Sequence, residues 1–419
     1  MMLSARDPLT DGSPMPDTTL PEHTLPTSHR QWAGVWAMSV AVFAVTATEM
    51  VPVGLLPAIS SEFGVTIGLA GLTVTAFGLA AGLTAPVMTS WTKAVDRRAL
   101  VLSILGIFLL GNIATVLVDS YFQLLAVRVL MGFAHGLMWS IAATVAVRSV
   151  APQFAERATA IVLSGIAAAL VLGLPIGTAM GERWGWNAPF VGLAVLSAIA
   201  ACAVFASVSV LPPLASTRSS SAFSTLRQWP GLRTVLGVTA LVVVGHYAAY
   251  TYVAPMLLQH SAIPLPLLGA LLLAFGIAGV LGNFVGGAAA ARESPLGVVQ
   301  LVFLVLLAIT LAVWALPTAG VAATVVLVVL WGLSYSALPV VLQTAVFRVA
   351  SGAKEQATSL YVMVFNLSIA VGAAAGGLVI ERFGVTAPVV LGAVLCAAAA
   401  ALVLLNLRSN SVALQRETS

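Results

Sequence analysis

The sequence predicts an all-α integral membrane protein of twelve transmembrane helices, arranged as two parallel six-helix pseudo-repeats. Three observations carry this. The 419 residues are 60% hydrophobic and 8% charged, with a mean hydropathy of +1.05, whereas a soluble domain carries about 25% charged residues. Apolar runs of about 20 residues, each long enough to cross the hydrocarbon core as a helix, recur along the whole chain. The two halves also echo each other at a nearly constant offset.

Breaks at charged or Gly/Pro-rich clusters leave apolar runs at 32–59, 69–92, 99–118, 121–147, 158–180, 187–210, 232–258, 265–290, 296–316, 319–346, 357–380 and 386–407. The polar start of the chain, rich in Pro, Thr, Ser and Asp, predicts a disordered tail over 1–31. Being polar, it is no secretory signal. The stretch 212–230 holds Pro212, Pro213, Arg218, Arg227 and several serines. It reads as a cytoplasmic linker between bundles over 32–211 and 231–408, with a tail over 409–419.

Orientation follows from Lys and Arg. With the N-terminus in the cytoplasm, tails and cytoplasmic loops hold all of the 18 basic residues but three: Arg183 and Arg382 in outside loops, and Arg128 within a run. The positive-inside rule therefore puts both termini in the cytoplasm. The net charge of +4 reports that topology, and nucleic acid is not an expected partner, since its binders cluster their basic residues on one face.

"AERAT" from Ala155 echoes "KEQAT" from Lys354, and "GERWGWNAPFVGLAVL" at 181–196 echoes "IERFGVTAPVVLGAVL" at 380–395, both at an offset of 199 residues. "AFGLAAG" at 76–82 echoes "AFGIAGV" at 274–280, and Arg148 echoes Arg348. Each half contains an even number of runs, so both enter the membrane from the same side. Parallel repeats imply a pseudo-two-fold axis along the membrane normal, with a substrate site between the halves near mid-membrane.

Only Glu49 and Arg128 place a charge deep in the apolar runs. A charge at the bilayer centre costs about 2.5–3.5 kcal/mol on insertion scales, so each needs a partner, water or a function. Glu49 lies roughly 15 Å, and Arg128 roughly 10 Å, from the outer ends of their helices, at depths that permit contact directly or through water. Two readings stand: a fixed ion pair, or a carboxyl that takes up and releases a proton. Desolvation and a nearby guanidinium act on a carboxyl in opposite senses, so moving either one would switch it.

On the fourth run, Arg128, Gly132, His135, Gly136 and Trp139 fall within roughly 100° of one helix face. The glycines allow close helix approach. His135 reads as a proton-handling group or as a hydrogen-bonded packing residue. The seventh run offers His246, Tyr247 and Tyr250, with Tyr252 beyond. Hydroxyl-rich solutes suit such a lining, because their polar groups need donors and acceptors and their C–H faces stack on aromatic rings. An interfacial aromatic belt is the other reading, and it suits Tyr252 best. Thr46, Asn283, Gln343 and Asn366 are further candidates for substrate contact or for interhelical hydrogen bonds. Gly165, Gly173, Pro175, Gly177 and Gly181 in the fifth run predict tight packing and a compliant bend. Cys202 and Cys396 sit in apolar runs and predict neither a disulfide nor a metal site.

"TEMVPVGLLP", "RVLMGFAHGLMWS" and "GHYAAYTYVAP" resemble segments of bacterial sugar-efflux transporters. Over residues 32–407 the chain resembles a twelve-helix member of the major facilitator superfamily, in its drug–proton antiporter branch. The resemblance implies a proton-coupling set of Glu49, Arg128 and His135, because related antiporters keep a membrane-embedded acid in the first helix. "RVLMGFAHG" is similar to the superfamily's fourth-helix motif, with Gly132 and Gly136 as its spaced glycines. "GLPIGTAMG", holding Gly173, Pro175 and Gly177, is similar to its exporter motif, and Gln343 and Asn366 match polar positions of the sugar-efflux relatives. The loop "TSWTKAVDRR" departs from the family pattern. Thr89 and Asp96 stand where glycines belong and Lys93 where Asp belongs, while Arg97 and Arg98 remain as gating or structural residues.

The expected protein is a monomeric, proton-coupled secondary transporter of the bacterial inner membrane that exports sugars or related small polar metabolites by antiport. Multidrug or antibiotic efflux by the same machinery is the alternative. Its partners are the solute, protons and the bilayer, with no cofactor beyond the proton gradient. A membrane-embedded enzyme would need a nucleophile–base pair or a metal cluster, which the runs do not offer. There is no G-x-x-x-x-G-K-[ST] stretch, so ATP drive is not expected.

Overall fold

The computed structural model describes residues 28–92, 95–212, 222–292, 295–316 and 320–417, and every regular element among them is helical. Twelve helices are long and apolar enough to cross a membrane. In chain order they are α1 (His29–Phe63), α2 (Ile67–Trp91), α3 (Arg97–Leu117), α4 (Tyr121–Arg148), α5 (Pro152–Trp184), α6 (Ala188–Ser207), α7 (Pro230–Tyr250), α8 (Leu265–Ala291), α9 (Leu296–Trp314), α10 (Gly320–Val349), α11 (Lys354–Phe383) and α12 (Ala387–Glu417). Apolar side chains such as Leu110, Phe284 and Val394 face outward, as a lipid solvent allows.

Helix starts follow local capping chemistry. Ser28 and Gln31 form a capping box at α1, as do Ser120 and Gln123 at α4, satisfying amides that have no partner inside the helix. Breaks follow proline. Pro175 cannot donate to the carbonyl four residues back, and α5 absorbs this in a π-helical turn, Ala169–Gly173, just before it. Beyond α7, a short helix Val253–Pro255 leads into a second π turn, Met256–His260.

The boundaries move in three places. Helix α1 begins at His29, inside the expected 1–31 tail, whose first 27 residues lie outside the described ones. The linker contains a helix, Ala222–Gln228. Helix α12 continues through most of the expected 409–419 tail. Cys202 is exposed and Cys396 buried, both as free thiols.

The duplicated motifs perform one packing task twice. A Cβ at Gly132 would collide with the carbonyl of Phe77, and a Cβ at Gly332 with the carbonyl of Phe275. So α4 presses on α2 as α10 presses on α8, at equivalent repeat positions. In α5, Gly165, Gly173 and Gly177 lie against Ser39, Ala47 and Val51 of α1, which is the close approach the glycine spacing predicts.

The halves meet along α2 against α11, α5 against α8, and α1 against the Val253–Pro255 turn. Gly68 abuts Gly377 and Gly82 abuts Leu367, so the α2–α11 seam runs from the end opposite the termini to just past the middle. On α8, Gly269 and Gly276 pack on α5, while Asn283, seven residues further along that face, is exposed. The halves have parted there, and the cleft opens toward the end that carries both termini. At the closed end the Thr66 hydroxyl donates to the Glu381 carboxylate. The Tyr252 hydroxyl donates to the Ala373 carbonyl at 2.9 Å. Tyr252 is 1% exposed, which corrects the aromatic-belt reading: the ring fills a slot beside Gly71 and Gly376.

Because the repeat glycines admit no side chain, Gly132→Val and Gly332→Val should each destabilise the fold by about 1–3 kcal/mol or more, visible as a lower midpoint in detergent thermal unfolding. Wild-type midpoints for both would refute the packing account.

Candidate functional site

The site grows out of a proline. Pro52 lies inside α1 and has no N–H, so the Thr48 carbonyl four residues back loses its helical donor. Arg128 of α4 supplies one. Its Nη1 donates to the Thr48 carbonyl at 2.8 Å, Nη2 to the Glu49 carbonyl at 3.1 Å and Nε to the Thr73 carbonyl of α2 at 3.1 Å. The guanidinium also lies over the Phe77 ring, 4.3 Å from its centroid, a favourable placement for a desolvated cation. One buried side chain thus joins α1, α2 and α4.

Of the contacts that similar depth permits, a direct ion pair between Arg128 and the Glu49 carboxylate is not among those the described residues make. The guanidinium is taken up by backbone carbonyls, and the carboxylate turns instead to His135, with Oε2 3.2 Å from Nε2. Glu49 is 5% and His135 1% exposed, so the pair points into the bundle and not toward lipid. The Trp139 indole donates to the same His135 Nε2 at 2.7 Å. His135 Nδ1 has no hydrogen-bond partner among the described residues, and the Phe77 ring meets the imidazole edge-on at 5.1 Å. Nearby, Asn112 of α3 donates to the Thr48 hydroxyl at 3.4 Å.

Trp139 is 39% exposed. With Thr46, Val42, Val45, Met138, Leu163 and Ile166 it lines a small cavity between α1, α4 and α5. Arg128, His135 and Trp139 therefore do share one face of α4, running from the buried arginine to the cavity wall.

In the C-terminal half, His246 is buried in an aromatic cluster. Its ring stacks on Tyr335 at 3.2 Å and 2°, and on Tyr250 at 5.0 Å. The Trp331 indole donates to its Nδ1 at 3.1 Å. Tyr247 meets the imidazole edge-on at 5.0 Å, and Phe275 closes the group. Phe275, Trp331 and Tyr335 were not singled out from the sequence. The repeat offers the signal: Phe275 and Tyr335 stand at the positions that Phe77 and His135 hold in the first half.

The remaining candidates scatter. Gln343 donates to Thr358 at 3.4 Å, an interhelical bond. Asn366 donates to the Val362 carbonyl of its own helix at 2.9 Å. Both are half-buried, and Asn283 is exposed in the open cleft. Arg97 donates to the Thr92 carbonyl, and Arg98 to the Phe205 carbonyl of α6. Asp96 caps α3 and accepts from the Leu211 amide at 2.7 Å. These bonds stay within the N-terminal half, so the loop that departs from the family pattern is a brace between α3 and the end of α6. Lys93 and the side chain of Thr89 lie outside the described residues.

A model of the Major Facilitator Superfamily matches residues 38–354 and again 240–418. The chain belongs to the Major Facilitator Superfamily. It is 30% identical over 358 residues to an uncharacterized MFS-type transporter, YtbD, of Bacillus subtilis (strain 168), covering 83% of this chain and 88% of that protein. A bacterial homolog of the human lysosomal transporter Spinster, in an inward-facing and occupied conformation, has a TM-score of 0.74 at 16% identity, covering 90% of this chain and 96% of that one. The human organic anion transporter MFSD10 (TETRAN) has a TM-score of 0.63 at 15% identity, covering 89% and 98%. At these identities the solved structures share the fold alone. The chain is a multi-pass membrane transporter of this superfamily.

Since Arg128 substitutes for the donor that Pro52 removes, the two positions should couple. Arg128→Met should cost about 3 kcal/mol or more in the wild-type background and roughly 1 kcal/mol less when Pro52→Ala restores the helical N–H. A double-mutant cycle by thermal unfolding checks this, and strict additivity would refute the compensation.

Proposed function

We propose that this transporter is a proton-coupled exporter of sugars or related small polar metabolites. It works by antiport and alternating access across the bacterial inner membrane, with both termini in the cytoplasm, as the resemblance to drug–proton antiporters and sugar-efflux proteins implies. The observation that supports it most is the freedom of the Glu49 carboxylate. The N–H groups of Arg128 go to three carbonyls, so the acid lies close to that cation without a hydrogen bond from it and has a titratable imidazole as its nearest partner. A neutral and a charged state are then both accessible to the pair, as a proton carrier requires. The cleft opens toward the termini, which in this orientation is the cytoplasmic side, where an exporter loads its solute. Hydroxyls and amides of Thr46, Tyr247, Tyr250, Gln343, Asn366 and Asn283 are the candidate contacts for a polar solute.

Export of amphipathic drugs is a second reading, favoured by one feature. The cavity beside Trp139 is walled by Val42, Val45, Met138, Leu163 and Ile166, a lining that accepts apolar surface more readily than hydroxyls.

Glu49→Gln should leave insertion and folding intact and lower substrate-driven proton movement at least tenfold. Proteoliposomes with an internal pH dye, challenged with a panel of sugars and lipophilic cations, give the readout. Equal responses from wild type and variant would remove the proton role, and the compounds that evoke a response decide between the two substrate classes.

A further inference from the structure

We infer that the Trp139 indole links substrate to proton: docked on His135 it holds Glu49 in its protonated form, and its displacement by a solute that reaches its exposed edge releases that proton. The link rests on Glu49 being the proton site. It comes from a valence constraint. His135 Nε2 has Trp139 Nε1 at 2.7 Å and Glu49 Oε2 at 3.2 Å. An imidazole nitrogen carries one in-plane hydrogen or one lone pair, never both. While the indole N–H donates to Nε2, that nitrogen holds its lone pair, and the imidazole proton is on Nδ1. A carboxylate beside it would then set lone pair against lone pair, so the docked indole favours the neutral acid. With the indole withdrawn, Nε2 is free to carry a hydrogen and donate it to the carboxylate, and a hydrogen bond to the charged form favours ionisation.

The proton count closes. With Trp139 docked, the pair holds two protons, one on the Glu49 carboxyl and one on His135 Nδ1. On withdrawal, the Glu49 O–H bond breaks and its proton forms a bond with Nε2. The Nδ1–H bond breaks and that proton forms an O–H bond on a water that enters the space the indole vacates, since no described protein group accepts it. One proton leaves the pair, and no oxidation or reduction occurs.

The placement of the indole makes it the part a solute can reach. Trp139 is 39% exposed on the wall it shares with Thr46 and Met138, whereas His135 and Glu49 behind it are buried. The solute that displaces it needs an apolar face to lie on the ring and an acceptor for its N–H, features common to a pyranose and to an amphipathic drug. The charged and titratable groups around the pair are Arg128 on α4, held by its three carbonyls, and Tyr247 on α7, within electrostatic range of Glu49. Helix α2 presents the Phe77 ring, and α3 presents Asn112 through Thr48.

The test is an infrared pH titration of the full chain in lipid nanodiscs, following the carboxyl band that Glu49→Gln removes. Trp139→Phe keeps a ring but has no N–H. It should move the midpoint of that band about one pH unit or more to lower pH, a tenfold change of the size a hydrogen bond to a charged group produces. In a His135→Asn background the same substitution should move it by less than about a third of that. Trp139→Leu is the second variant, expected to behave like Trp139→Phe. A midpoint indifferent to both substitutions, or an equal shift without His135, overturns the link while leaving Glu49 as the proton site. Absence of any titrating band that depends on Glu49 overturns the proton site and the link together.

Discussion

The bond between Arg128 and the Thr48 carbonyl is the constraint on which the N-terminal half is built. Pro52 creates an acceptor with no donor in the middle of a membrane helix, where an unsatisfied carbonyl costs several kcal/mol. Arg128 is a charge that needs solvation at the same depth. Each removes the other's penalty. The two further bonds to Glu49 and Thr73 carbonyls draw α1 and α2 onto α4, and Gly132 allows the backbones to come close enough for the side chain to reach. The chemical consequence lies in what the arginine no longer does. With its N–H groups on carbonyls, it leaves the neighbouring carboxylate to make its direct contact with His135 instead.

The second half repeats the packing and changes the chemistry. Gly332 meets Phe275 as Gly132 meets Phe77, yet Tyr335 stands where His135 would be, and among the described residues no acid or arginine contacts the His246 ring. An imidazole, three tyrosines, a tryptophan and a phenylalanine fill that space instead. One bundle thus holds ionisable groups against backbone dipoles, and the other holds aromatic surface with polar tips.

The contacts between the halves explain how the cleft can be open at one end. They rest on Gly68, Gly78 and Gly82 along α2 and on Gly269 and Gly276 along α8, small residues that let helices slide or part without breaking a knob-in-hole fit. The directional bonds between the halves, from Thr66 to Glu381 and from the Tyr252 hydroxyl to the Gly68 carbonyl at 3.5 Å, lie at the closed end. The π turn before Pro175 falls where α5 crosses α8, giving that helix a place to bend.

Much of this was legible in the chain. Lipid requires runs of about 20 apolar residues and internal satisfaction of every backbone group, so the spans and the all-helical class follow from hydropathy. The duplication shows as repeated words, and the cost of charge in a membrane singles out Glu49 and Arg128 whatever the fold. The pairing of those groups was decided in three dimensions. Opposite charges at similar depth suggested an ion pair, but a hydrogen-bonding site belongs to whichever partner the helix registers bring within 3 Å, and the acceptors nearest Arg128 were carbonyls that sequence patterns do not reveal. For the same reason periodicity could place Trp139 and His135 on one face of their helix and depth could bring Glu49 level with that helix, while their convergence on a single imidazole nitrogen depends on helix crossing and rotamer, which only close packing of the bundle sets.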